Sequence, residues 1–193
     1  MPGRFFLERE VAGMTDPPRM NIAPGQEVIT LTRDGPRHMR WGMIPVGRVN
    51  ARGRPVMETI VNARSETVFD KSAFADVKRA VVPVDGWYEW TGEKRRKQPW
   101  RISRKDGRLL YFAAIYDVWS GPGGIEVPQV ATITCAPSAD VRDVHHRMGV
   151  ILEEDQLEQW FAGDEMTAKA MMKTYLDGAL RVAKADDVDW DGP

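Results

Sequence analysis

RAVVPVDGWYEWTGEKRRKQPWRISRKDGRLLYFAAIYDVW, residues 79–119, holds four runs rich in β-branched and aromatic residues. They are Arg79–Val84, Trp87–Thr91, Trp100–Arg104 and Leu109–Trp119. Such runs are strand candidates, and turn-forming residues such as Asp85-Gly86 and Lys105-Asp106-Gly107 separate them. Close spacing of this kind favours an antiparallel, barrel-like or sandwich core over βαβ units, which need longer crossovers. Working outward, Glu27–Arg33 and Arg37–Met43 flank the turn Arg33-Asp34-Gly35-Pro36, and Gln129–Cys135 supplies a further apolar run.

Helical patterns are fewer and later. Phe69–Arg79 carries Phe74 and Val77 at i,i+3 and predicts a short amphipathic helix; Glu153–Ala162 and Asp164–Leu176 predict two more, the last stopping near Gly178. No repeat, low-complexity tract or linker divides the 193 residues. The expectation is one α+β domain over 1–193, mainly antiparallel β with flanking short helices, ending in an acidic tail, 186–193, that frays.

Composition narrows the function. The longest apolar stretch, Leu109–Ile115, is far below the ~20 residues that cross a bilayer, and the first residues lack the apolar segment of a secretion signal. A single cysteine, Cys135, closes no internal disulfide and belongs to no Cys/His cluster. The chain therefore reads as cytoplasmic, nucleoid-associated if bacterial. No metal site, phosphate-binding loop or organic cofactor is expected, and a monomer is assumed. The formal net charge of −1 conceals a division: residues 1–110 carry 21 Lys+Arg against 13 Asp+Glu, and residues 111–193 carry 6 against 15. A basic part of that size suits a polyanion such as nucleic acid, although two solvated faces of opposite sign would produce the same arithmetic.

Five segments hold residue types an apolar core does not need. They are Met1-Pro2-Gly3-Arg4-Phe5, Asn21-Ile22-Ala23-Pro24-Gly25, Val61-Asn62-Ala63-Arg64-Ser65-Glu66, Asp85-Gly86-Trp87-Tyr88-Glu89-Trp90 and Asp143-Val144-His145-His146-Arg147-Met148. Glu89 among aromatics would have a raised pKa suited to proton transfer near neutrality, or it faces solvent on an edge strand. Asn21 contacts a ligand or caps its own turn. His145 is a catalyst or a satisfied histidine, and Cys135, in an apolar strand, reads as a buried inert thiol.

Taken together, and with Arg40-Trp41-Gly42-Met43-Ile44-Pro45 and Lys97-Gln98-Pro99, these segments occur in an order that resembles the SRAP family, the SOS response-associated peptidases or abasic-site processing proteins. The resemblance runs from the N-terminus to about Leu152. It implies a barrel-like domain with a positive groove for single-stranded DNA carrying abasic sites, acting in DNA repair. Members capture the abasic-site aldehyde with the residue exposed after Met1 removal, aided by an Asn, a Glu and a His. These correspond to Asn62, Glu89 and His145. The resemblance also places Gly3, Arg4, Asn21, Pro24, Arg64, Trp90 and Arg147 on the DNA.

The family's nucleophile is a cysteine after Met1, and this chain has Pro2. Its stable cross-link closes a thiazolidine with both amine and thiol, so Pro2 cannot form it. A free proline amine still attacks an aldehyde to give an iminium, with β-elimination as a possible sequel. Pro2, Asn62, Glu89 and His145 are thus the catalytic candidates, His145 as a general acid in sugar-ring opening. The alternatives are a non-catalytic single-stranded DNA-binding paralogue and, weakest without the cysteine, a self-processing peptidase. Val46, Gly47 and Arg48 stand where relatives carry a tryptophan that wedges against bases.

Overall fold

The computed structural model describes residues 2–44, 52, 59–71, 74, 76–93 and 96–192. Its strands are β1 (Arg4–Leu7), β2 (Arg19–Ile22), β3 (Glu27–Thr32), β4 (Gly35–Trp41), β5 (Asn62–Arg64), β6 (Lys78–Val84), β7 (Gly86–Thr91), β8 (Gln98–Arg104), β9 (Leu110–Ser120), β10 (Glu126–Cys135), β11 (Met148–Gly149), β12 (Ile151–Leu152) and β13 (Leu180–Lys184). Two helices follow β12: α1 (Leu157–Ala162) and α2 (Glu165–Met171). All seven expected strands are present, and the α+β, mainly antiparallel class is as expected.

Strands β10, β4, β3, β6 and β9 pair in succession, and β9 returns to β10. The sheet therefore closes on itself and hides its edges, as in barrel-like folds. Two pairings are parallel: β10 receives β4 at Gln129 and Val130, then β5 at Thr132–Thr134. The second sheet, in the order β13-β8-β7-β1-β2, is antiparallel throughout.

One residue, Asp85, separates β6 of the first sheet from β7 of the second. Its carboxylate accepts the Glu8 N–H at 2.7 Å and pairs with Arg9 at 2.6 Å, fixing the corner. Gly86 follows because a Cβ there would lie 2.2 Å from the Ile102 carbonyl and 2.6 Å from the Phe6 ring. The core lies between the sheets, where Phe5 stacks on Trp41 at 3.9 Å and meets Phe112 at 5.4 Å. Each such aromatic contributes about 1.5–3 kcal/mol on full burial.

Three local expectations are corrected. Among the described residues of Phe69–Arg79 no α-helix is present: Phe69, Asp70 and Asp76 are in turns, Phe74 is in a 3-10 turn and β6 begins at Lys78, while Ser72, Ala73 and Ala75 lie outside the described residues. The i,i+3 pair still faces inward without a longer helix: Phe74 is buried in the core and half-buried Val77 packs against it. The last helix starts as expected, with Asp164 accepting the Thr167 N–H at 2.7 Å, but ends at Met171 instead of Leu176. Irregular backbone beyond it lays Tyr175 against Glu153, oxygen to oxygen 2.5 Å, and over Arg104.

The third correction concerns the acidic tail, which is docked instead of frayed. Ala185 is fully buried and its N–H bonds to the Pro99 carbonyl at 3.1 Å. Trp190 packs edge-on against Tyr88 at 4.9 Å and tilted against Trp90 at 5.2 Å. Gln98 and Arg101 hold Asp186 and Asp187 at 2.8 and 3.3 Å. The outer face of the second sheet is apolar at Phe6, Tyr88 and Met20, and the tail covers it.

Candidate functional site

Four expected catalytic residues, from segments up to 143 positions apart, are brought into two contacts, Pro2 with Asn62 and Glu89 with His145, by strands of both sheets. Pro2 is buried just before β1, and its carbonyl accepts a hydrogen bond from Asn62 Nδ2 at 3.0 Å. Asn62 opens β5, in register with Thr132 of β10, whose hydroxyl donates to Asn62 Oδ1 at 2.6 Å. Glu89 sits mid-way along β7, between β1 and β8 and not at an edge. Alternation puts it on the same face as core residue Trp87, so it is only 3% exposed.

Burial pushes the Glu89 carboxyl up to about 7, against the terminal ammonium and the Trp87 indole, which both favour ionisation. His145 comes from the loop after β10, with Nε2 4.0 Å from Glu89 Oε2. Its Nδ1 lies 3.0 Å from both the N–H and the carbonyl of Arg147, so the main chain anchors the ring in either tautomer. Burial, then the positive terminus, pushes His145 down to about 4. His146 stacks on it at 4.3 Å.

Arg147 and Glu66 brace this loop. The guanidinium reaches both Glu66 oxygens, at 2.5 and 2.9 Å, and the Thr134 carbonyl at 2.5 Å. That bidentate bond is the main reason the Glu66 carboxyl is pushed down to about 2. The clamp ties the turn after β5, and hence Asn62, to the loop that carries His145.

Comparison with known proteins places the whole domain in a family. The family description SOS response associated peptidase (SRAP) matches residues 4–188. The chain belongs to the SRAP family. Abasic site processing protein YoqW of Bacillus subtilis is 32% identical over 180 residues, 89% of this chain and 77% of that protein. YedK of Escherichia coli, also named an abasic site processing protein, is 32% identical over 184 residues, 90% of this chain and 78% of its own. Among solved structures, a phage-related protein of Bordetella bronchiseptica superposes with a TM-score of 0.75 at 25% identity, covering 96% of this chain and 94% of that one.

Within this SRAP domain the seven residues expected on DNA divide into two groups. Arg64 and Pro24 are exposed, and Gly3 lies between Pro2 and the start of β1. The others have protein partners. Arg4 donates to Asn21 Oδ1, and Asn21 Nδ2 binds the tail carbonyls of Asp189, Trp190 and Gly192 at 3.3, 2.8 and 3.0 Å. Asn21 thus does not cap its own turn. Trp90 faces Trp190, on the opposite face of β7 from Glu89, and Arg147 is in its clamp. Cys135 is buried with its thiol pushed up to about 11 by burial, as an inert cysteine should be. Pro45 and the segment Val46-Gly47-Arg48 lie outside the described residues, as does Met1.

Sequence reasoning missed Thr132, the Glu66 clamp and the docked tail. The signal for Thr132 was there: Thr132 and Thr134 interrupt the apolar run Val130–Cys135 at i,i+2, one face of a buried strand. Among the described residues, no helix is long and apolar enough to cross a membrane.

Proposed function

We propose that this protein processes abasic sites in single-stranded DNA, and that Pro2, freed of Met1, captures the ring-opened sugar aldehyde as an iminium. The convergence of Pro2, Asn62, Glu89 and His145 carries this reading, supported by the names of relatives such as YoqW and YedK.

The neutral secondary amine adds to the aldehyde carbon, and its proton passes to the new oxygen, giving a carbinolamine. Protonated Glu89 then gives its proton to the carbinolamine hydroxyl, which leaves as water while the nitrogen lone pair forms the C=N bond. The product is an iminium cation beside the new Glu89 carboxylate. A carboxyl that titrates at about 7 can both hold that proton and release it at neutral pH. His145, neutral at that pH, acts as a hydrogen-bonding partner of Glu89 and the sugar and not as an imidazolium acid. Asn62 holds the terminal residue in place through its carbonyl. The excess of basic residues in 1–110 supplies attraction for the DNA backbone.

The test is incubation of the protein with single-stranded DNA bearing one abasic site, with and without borohydride, while mass spectrometry establishes its first residue. The expected product is a borohydride-dependent adduct on Pro2. No adduct from protein proven to begin at Pro2 overturns the covalent step and leaves a non-catalytic DNA-binding protein.

A further inference from the structure

We propose that Thr132 is a positioning residue that dictates which end of the Asn62 amide faces the N-terminal residue; the inference rests on the abasic-site reading of the same site. An asparagine amide has unlike ends, and rotation about its last side-chain torsion is soft. The Pro2 carbonyl only accepts, so Asn62 must present Nδ2 to it, as observed at 3.0 Å. Asn62 Oδ1 then needs a donor on the opposite side. The Thr132 hydroxyl supplies it at 2.6 Å.

Thr132 is suited to this by its place in the fold. It is fully buried in β10, paired on one side with Ala114 of β9 and on the other with Asn62. Its N–H also bonds to the Val61 carbonyl at 3.2 Å, so main chain and side chain grip successive residues, Val61 and Asn62. Strand β5 is only three residues long and has β10 as its paired neighbour, so the orientation of Asn62 is inherited from β10. Without the hydroxyl the amide is free to turn its oxygen toward the Pro2 carbonyl, and two acceptors would face each other.

Thr132→Val keeps the shape and removes the donor; Thr132→Ser keeps the donor. With saturating abasic single-stranded DNA, Thr132→Val should form the borohydride-trapped adduct about three- to tenfold more slowly, the range for one net hydrogen bond. Binding of undamaged single-stranded DNA should be unchanged, and Thr132→Ser should restore the rate. The double variant Thr132→Val/Asn62→Ala should be no slower than Asn62→Ala, because Thr132 acts only through that amide. Wild-type rate in Thr132→Val, or additive losses in the double variant, overturns the proposal. A second readout is independent of the reaction: exchange of the Asn62 side-chain NH2 protons, followed by NMR, should be slow in the wild type and in Thr132→Ser and faster in Thr132→Val. Equal exchange in all three overturns the positioning role. Absence of any adduct from wild-type protein proven to begin at Pro2 overturns the covalent step on which the rate test depends, and the exchange measurement then still decides the fate of Thr132.

Discussion

Glu89 and His145 face each other at 4.0 Å with their usual order of acidity inverted. Burial in the same pocket acts against both charged forms, so the carboxyl rises to about 7 and the imidazolium falls to about 4. Between those values the proton resides on the glutamic acid and the histidine is neutral. An ordinary surface pair would hold the proton on histidine instead. The order of proton affinity in the pair is thus set by environment and not by residue type.

Glu89→Gln keeps size and burial but removes the transferable proton. Adduct formation should fall at least about 100-fold, the lower end for a general acid. Single-turnover trapping with borohydride measures it, and because the amine deprotonates alike in both proteins, the ratio of wild-type to variant rate should decline as pH rises through about 7.

The same pair shapes stability. Glu89 has a raised folded-state pKa, so its contribution is complete below 4.5 and is lost as pH rises through about 7. His145 has a lowered one, so its contribution is complete above 6.5 and is lost as pH falls toward about 4. Between roughly 4.5 and 6.5 the two slopes oppose and largely cancel. Thermal melting across this range should show Glu89→Gln gaining stability with rising pH, His145→Gln losing it, and the wild type nearly level.

Replacing Pro2 with cysteine restores the thiol whose absence distinguishes this chain from the family pattern. Pro2→Cys should give an adduct with abasic single-stranded DNA that survives without borohydride, because amine and thiol together close a thiazolidine. Denaturing electrophoresis without reductant separates that product from the reversible iminium of the wild type.

Arg64 and Arg147 should behave differently despite both lying near Asn62. Exposed Arg64 is available to phosphate, so Arg64→Ala should weaken single-stranded DNA binding and reduce the magnitude of the salt slope by about 0.7, one phosphate contact. Arg147→Ala removes charge-assisted bonds to Glu66 and Thr134 and should cost about 2 kcal/mol of stability. Salt titrations and thermal melts distinguish the two effects.

Trp190→Ala tests the docked tail. Loss of its ring contacts with Tyr88 and Trp90 should cost about 2 kcal/mol, lowering Tm by about 4–8 °C in a domain of this size. A mere frayed end would leave Tm unmoved.

The strands were legible because their β-branched and aromatic runs are separated by glycine-containing turns, and Glu89 was legible because it breaks an aromatic run. Strands β1, β2, β5 and β13 were not. They are three to five residues long, too short for alternation to show, and they form because a longer neighbour offers an edge. The failed helix at Phe69 had a true apolar spacing that turns could satisfy equally well. Arg4, Asn21, Trp90 and Arg147 were singled out by motif, yet each has a partner within the protein, and no local pattern discloses a partner as far away as Trp190 or Glu66.

By itself the sequence determined the strand-rich class, the family and the identity of the four converging residues, because residue type and order along the chain carry that information. Tertiary structure alone decided the proton affinities of Glu89 and His145. Proton affinity depends on burial and on what lies within a few ångströms, and those neighbours come from β1, β5, β7 and the loop after β10. The charge division along the chain has the same limit: several arginines of the basic part are consumed by internal pairs, and aspartates of the acidic part hold the tail against the sheet. Which charges meet DNA is a property of the folded surface.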